Sequence, residues 1–307
     1  MVCLPSFILA GVGKCGTTDV WDKIVQHPDI VKVFKEPRWW TRARLGRDRR
    51  KPSPLSGYLN HFHKLSSKVA RNITAAKHLI TGDGSPSIYW DNVLWKNFLT
   101  SACTDATTPT YFISDVIRAI VPESKIISVF RNPTDRLYSD YMFENRSCTS
   151  DFFHQSIVKT TRLFYSCLAD LSRRECVFKF FSLLYTRRRT RMGRWPMMKL
   201  FKGFYSVFIT DWMDAFPRDQ LKFIRLEDWH SNCEGMLPEM YTFLELSPLS
   251  TDKIKSICST KQGNPTEGKE KKGPMLEETR EILKAFYKPT LVDLADILGD
   301  NRFLWND

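Results

Sequence analysis

Phe7-Ile8-Leu9-Ala10-Gly11-Val12-Gly13-Lys14-Cys15-Gly16-Thr17-Thr18 decides the fold. The apolar run Phe7 to Ala10 is short, continuous and stopped by glycine, which is the pattern of a buried strand entering a turn. Beyond the turn, Val20, Trp21, Ile24 and Val25 recur at helical spacing, Asp19 puts negative charge in the first turn, and His27-Pro28 closes the segment. The unit is strand, glycine loop, helix. A second copy of the arrangement follows: the β-branched run Lys125 to Phe130, the turn Arg131-Asn132-Pro133, and a helical stripe of Leu137, Tyr138, Tyr141 and Met142. A third apolar run, Leu221 to Leu226, comes after the amphipathic stretch Val207 to Phe216. Strands alternating with helices predict an α/β fold with a central parallel β-sheet flanked by helices. With no repeat and no clear linker, the expectation is one domain over 1–307. The tail from Met275 to Asp300 is also helical in period, with Pro289 expected to break it.

Composition narrows the partners. The 307 residues are 42% hydrophobic and 26% charged, ordinary for a globular chain and unlike a disordered or collagen-like one. Lys plus Arg number 46 against 34 Asp plus Glu, a formal net charge of +12, so an anionic partner is expected: nucleotide, nucleic acid, sulfated glycan or acidic membrane surface. Two basic segments, Arg38 to Lys51 and Arg187 to Arg194, read either as solvated loops or as a polyanion track. No apolar stretch approaches the roughly 18 residues of a spanning helix, and no signal segment is visible. The eight cysteines form no CxxC pair and no Cys/His spacing suggests zinc, so no metal is expected. They fit reduced thiols or a few bridges in a secretory compartment, and the sequons Asn72-Ile73-Thr74 and Asn145-Arg146-Ser147 lean to the second.

A glycine turn that opens a helix gathers backbone N–H groups and the positive end of the helix dipole at one point, which is an anion site. Lys14 adds a full charge there. The nucleoside-triphosphate loop requires G-x-x-x-x-G-K-[ST], whereas here the lysine precedes Gly16 and two threonines follow. The string Gly11-x-x-Lys14-x-Gly16-Thr17-Thr18 instead resembles the 5′-phosphosulfate loop of sulfotransferases, which use 3′-phosphoadenylyl sulfate (PAPS). Arg131-Asn132-Pro133-Thr134-Asp135-Arg136-Leu137-Tyr138-Ser139-Asp140-Tyr141 resembles the 3′-phosphate segment of the same family, R-N-P-x-x-R-x-x-S-x-Y. Lys35-Glu36-Pro37-Arg38-Trp39-Trp40 resembles the K-E-x-x-[FW]-[FW] segment of the Golgi carbohydrate sulfotransferases. Asp22-Lys23, His27-Pro28 and the closing segment Phe286 to Trp305 extend the likeness. It is strongest to the branch that sulfates carbon 6 of N-acetylgalactosamine 4-sulfate in chondroitin sulfate, and weakest over 145–205.

The resemblance implies roles residue by residue. Lys14 would meet the charge on the leaving phosphate, with Cys15, Gly16, Thr17 and Thr18 holding the 5′-phosphate. Arg131 and Ser139 would hold the 3′-phosphate, and Lys272 and Gly273 would form a loop covering PAPS. Glu36 would be the base that takes the acceptor hydroxyl's proton, which is what a carboxylate beside the reacting oxygen is suited to do. Arg38, Trp39, Trp40 and Arg42 would meet a sulfated glycosaminoglycan acceptor. The resemblance implies Golgi residence and a glycoprotein; neither nucleic acid nor a metal is expected as a partner. Asp83-Gly84-Ser85-Pro86-Ser87-Ile88-Tyr89 departs from the heparan sulfate enzymes, which carry a lysine where Gly84 stands. That argues against a heparan sulfate acceptor. The residues also leave open a non-catalytic polyanion-binding protein, in which Glu36 would have no part, and a nucleotide or metabolite kinase, which would need magnesium.

Overall fold

Phe7, Ile8, Leu9 and Ala10 expose no surface, so the first apolar run is an interior strand covered on both faces. The computed structural model describes residues 3–46, 51–71, 78–92, 95, 106–144, 149–186, 191–192, 195–196, 198–260 and 273–306. The elements begin with β1 (Phe7–Gly11), α1 (Thr17–Ile24), α2 (Leu55–Leu59), α3 (His63–Arg71), β2 (Gly82–Asp83), α4 (Ile113–Ile120) and β3 (Lys125–Phe130). Then come α5 (Pro133–Glu144), α6 (Ser150–Leu168), α7 (Arg173–Thr186), the small pair β4 (Arg191–Met192) and β5 (Trp195–Pro196), and α8 (Tyr205–Ala215). The last are β6 (Leu221–Arg225), α9 (Leu226–Ser231), α10 (Cys233–Phe243), α11 (Thr251–Cys258) and α12 (Glu277–Leu298). Among the described residues no helix is long and apolar enough to cross a membrane.

The chain forms two compact units. The first comprises Met1–Asp91, Ile113–Phe130 and Met213–Pro265. Its centre is a parallel sheet of order β2-β1-β3-β6, with Ile8 opposite both Asp83 and Ile126, and Val129 opposite Ile224. The α/β expectation therefore holds, and all four strands point their carboxyl ends the same way. β1 has β2 on one side and β3 on the other, so the strand order reverses at its carboxyl end, the usual ligand-binding place in an open α/β sheet. β2 escaped the sequence reading, because two residues without apolar pattern carry no strand signal. Its position is set by close packing: a Cβ on Gly82 would lie 2.4 Å from the Phe7 ring. The third run ends one residue earlier than expected, since Leu226 already starts α9.

The second unit comprises Asn92–Phe112, Arg131–Trp212 and Thr266–Asp307. Its core is aromatic, with Phe164, Phe204 and Phe286 in mutual ring contact and Tyr287 against Phe204. The tail helix differs from expectation: α12 runs unbroken through Pro289. The proline forfeits one hydrogen bond, but Leu283, Phe286 and Tyr287 before it and Leu291, Leu294 and Ala295 after it are buried, and that apolar stripe holds both halves on one axis.

Among the described residues one disulfide closes each unit, Cys233–Cys258 joining α10 to α11 and Cys167–Cys176 joining α6 to α7. Both sequons, most of the second basic segment and the 261–272 stretch lie outside the described residues.

Candidate functional site

β1 delivers the chain into a loop with two left-handed residues, Lys14 at φ 72° and Gly16 at φ 71°. Such turns aim successive N–H groups to one side. Gly16 is the N-cap of α1, and no side chain caps the helix there, which leaves the first-turn amides for another acceptor. A Cβ on Gly13 would meet nothing within 4 Å, so the loop has open space in front of it. Gly16 is the opposite case, because a Cβ there would lie 2.2 Å from Cδ1 of Leu226. Gly16→Ala is expected to destabilise the protein by about 2–4 kcal/mol, the left-handed backbone and the overpacked leucine together; urea denaturation read against the wild type measures it. Cys15 is fully buried and Thr17 almost so, while Thr18 is partly exposed.

The second arm is the extended segment after Val33. Lys35 reaches back so that its Nζ donates to Thr18 Oγ1 at 3.2 Å, Thr17 Oγ1 at 3.4 Å and Glu36 Oε1 at 2.9 Å. On the other carboxylate oxygen, Oε2, Arg38 donates from Nε at 3.1 Å and from Nη2 at 2.8 Å. Burial alone would push the Glu36 carboxyl up, but Lys35 and Arg38 together outweigh it and hold the group below the ordinary carboxylate range. Glu36 is thus an anion at neutral pH, with 23% of its side chain exposed. Glu36 is therefore ion-paired on both oxygens, to Lys35 and to Arg38.

Behind this arm lies a buried polar chain. Trp40 Nε1 donates to the Tyr58 hydroxyl at 2.8 Å, and that hydroxyl donates to Asp83 Oδ2 at 3.0 Å. The Ser85 N–H donates to Asp83 Oδ1, and Ser85 Oγ accepts the Arg38 N–H, each at 2.9 Å. Arg38 itself is left-handed, at φ 51°. Asp83 is pushed up to about 6 by burial, with Ser85 and Tyr58 pulling it down and the charge of Glu36 adding to the rise. Trp40 has no exposed surface and Trp39 only 9%, its indole N–H given to the Ser53 carbonyl. The structure therefore places both tryptophans in the core, under the arm, rather than open to a sugar. Arg42 turns to Asp91, with Nε 3.2 Å from Oδ2.

The remaining residues singled out from sequence belong to the second unit. Arg131, the next residue in the chain after β3, has its carbonyl held by the Tyr205 hydroxyl at 2.8 Å. Asn132 caps α5 through Oδ1 on the Thr134 N–H, with Pro133 at the first helical position, and Ser139 is buried about two turns on. Gly273, at φ 71°, offers its carbonyl to the Tyr138 hydroxyl beside Ser139. Lys272 lies outside the described residues. Sequence reading missed Lys35, Tyr58, Asp83 and Ser85 as parts of the site. Lys35 had a signal, its place beside Glu36; for Tyr58 there was none, since only folding brings it to β2.

The family model described as "Sulfotransferase domain" matches residues 4–286. The mouse protein named carbohydrate sulfotransferase 15 is 34% identical over 99% of this chain and 55% of its own length, and the human one is 33% identical over the same shares. The mouse bifunctional heparan sulfate N-deacetylase/N-sulfotransferase 4 is 23% identical over 96% of this chain and 30% of its own length. The chain thus spans about half the length of the curated carbohydrate sulfotransferases it matches. A solved sulfotransferase from Alicyclobacillus acidocaldarius shares the fold at a TM-score of 0.62, with 18% identity and full coverage of both chains.

Proposed function

The chain belongs to the sulfotransferase domain family, and from that premise we propose that 1–307 works as a single PAPS-dependent domain transferring a sulfuryl group to a glycosaminoglycan hydroxyl. The acceptor we infer is carbon 6 of N-acetylgalactosamine 4-sulfate in chondroitin or dermatan sulfate, after the strongest likeness in the sequence and the chain's similarity to proteins named carbohydrate sulfotransferase 15. The observation that carries the reading is the link Thr17/Thr18–Lys35–Glu36, which joins an uncapped, open anion loop to an ionised carboxylate. An anion fits such a loop, and a carboxylate next to it suits proton removal. In this reading the loop amides and the two threonines hold the 5′-phosphate, and Arg131 and Ser139 hold the 3′-phosphate. The acceptor O–H gives its proton to Glu36 as its oxygen bonds to sulfur. The sulfur–oxygen bond to the phosphate breaks, and Lys14 meets the charge left on that oxygen.

Arg38, 44% exposed at its side chain, and the net charge of +12 suit a polyanionic chain arriving from solution. The two disulfides fit a secretory compartment and hence Golgi residence. Calorimetry with 3′-phosphoadenosine 5′-phosphate (PAP), the desulfated product, tests the reading. Tight binding without metal is expected, weakened about 10–100-fold in Arg131→Ala, as the loss of a charge-assisted contact implies. Preference for ATP with magnesium, or no nucleotide binding, would overturn it.

A further inference from the structure

Lys35 makes three contacts that a single ammonium group is just able to make. An ammonium has three N–H donors and no acceptor, and here the three hydrogen-bond acceptors within reach are Thr17 Oγ1, Thr18 Oγ1 and Glu36 Oε1. A hydroxyl oxygen that accepts from Lys35 must send its own hydrogen elsewhere. Both threonines stand in the first turn of α1, so both are left as donors for an anion in the loop. The lysine is fixed at its other end as well. Its carbonyl takes the Gly84 N–H at 2.8 Å, and its stem runs over Gly84 so closely that a Cβ there would lie 2.8 Å from Lys35 Cγ. Gly84 has no room for a side chain, because Lys35 Cγ and Trp21 Cε3 would each lie 2.8 Å from its Cβ.

We propose that Lys35 is a positioning residue whose single ammonium group orients the Thr17 and Thr18 hydroxyls towards the donor's 5′-phosphate and holds the Glu36 carboxylate by Oε1. The proposal rests on the sulfotransferase reading and deepens it. Charged and titratable neighbours of Glu36 are Lys35 and Arg38 on its own segment and Asp83 at the end of β2.

The test compares PAP with adenosine 3′-monophosphate, which lacks the 5′-phosphate. Lys35→Met is expected to weaken PAP about 10-fold, roughly the loss of one charged-group network, and to leave the 3′-monophosphate unaffected. In a Thr17→Val/Thr18→Val background the same change should cost PAP affinity almost nothing more, because the effect is routed through those hydroxyls. The acid limb of the kcat/KM profile should also move up, towards the ordinary carboxylate value, with Asp83→Asn as the control for a group titrating in the neighbouring range. Equal loss of both ligands, full additivity with the threonine changes, or an unmoved acid limb would each overturn the proposal. Unaltered 3′-monophosphate binding reports a folded variant; if Lys35→Met fails to fold, Lys35→Arg carries the same cycle, since a guanidinium cannot repeat three contacts from one nitrogen. A wild type that binds neither ligand would remove the sulfotransferase reading itself, whereas PAP binding indifferent to Lys35 would remove only the role given to this lysine.

Discussion

Glu36→Gln is expected to lower kcat by about 10²–10⁴-fold, the usual contribution of a positioned general base, while PAP binds as before. The reasons are geometric and electrostatic. The amide keeps the shape of the carboxylate, and its oxygen still accepts from Lys35, so the threonines and the loop stay in place. What is lost is the ability to accept a proton. Stability should change little, because the ion pairs of Glu36 are partly solvated and Arg38 is exposed. The pH profile gives a second check. Lys35 and Arg38 hold the carboxyl low against the opposing effect of burial, so wild-type kcat/KM should fall only below the ordinary carboxylate range as Glu36 protonates. An intact rate in the variant, measured by sulfate transfer to chondroitin 4-sulfate, would take Glu36 out of the chemistry, whereas no transfer by the wild type would favour the polyanion-binding alternative.

Much of this was legible because β1 and β3 are apolar runs bounded by turns, and a run buried on both faces announces itself in any order of reading. The glycine loop was legible for a similar reason: glycines at fixed offsets have a backbone cause, and Gly16 has two, its left-handed turn and Leu226 against it. What sequence could not convey is long-range placement. Tyr58 meets Asp83 only because β2 pairs with β1, and Asp83 lies beside Glu36 only because the arm folds over that strand end. The tryptophan pair shows the same limit. Aromatic residues beside a charged motif read alike whether they carry a sugar or a core, and the deciding fact, that Trp40 spends its N–H on a buried tyrosine, is tertiary. Pro289 was misjudged because propensity was weighed without the packing on either side of it.

In the second unit, Asp140→Asn is expected to destabilise the fold by about 3–5 kcal/mol, the range for breaking one side of a buried ion pair. Asp140 Oδ2 sits 3.0 Å from Lys202 Nζ and 3.2 Å from Arg136 Nη1. Arg136 has no exposed surface, Asp140 exposes 6% and Lys202 8%, so water does not take over when the carboxylate is gone. Two buried cations would then face each other with an amide between them. Burial alone would raise the Asp140 carboxyl, but Lys202, Arg136 and Lys199 overcome it and hold the group far below its ordinary value. A depressed carboxyl contributes its stability above the unfolded pKa of about 3.9 and loses it as pH falls towards the folded value. The wild type should therefore lose more stability on acidification than the asparagine variant. At the alkaline end the deficit narrows for a different reason. Burial already lowers the Lys202 ammonium, opposed by Asp140, and without that partner the lysine sheds its proton more readily. A base whose folded pKa lies below its unfolded one gains folded-state stability as pH rises, so the deficit of the variant should shrink on the way to pH 10. Urea denaturation across pH reads both limbs, and a deficit independent of pH would show that Asp140 acts through shape rather than charge.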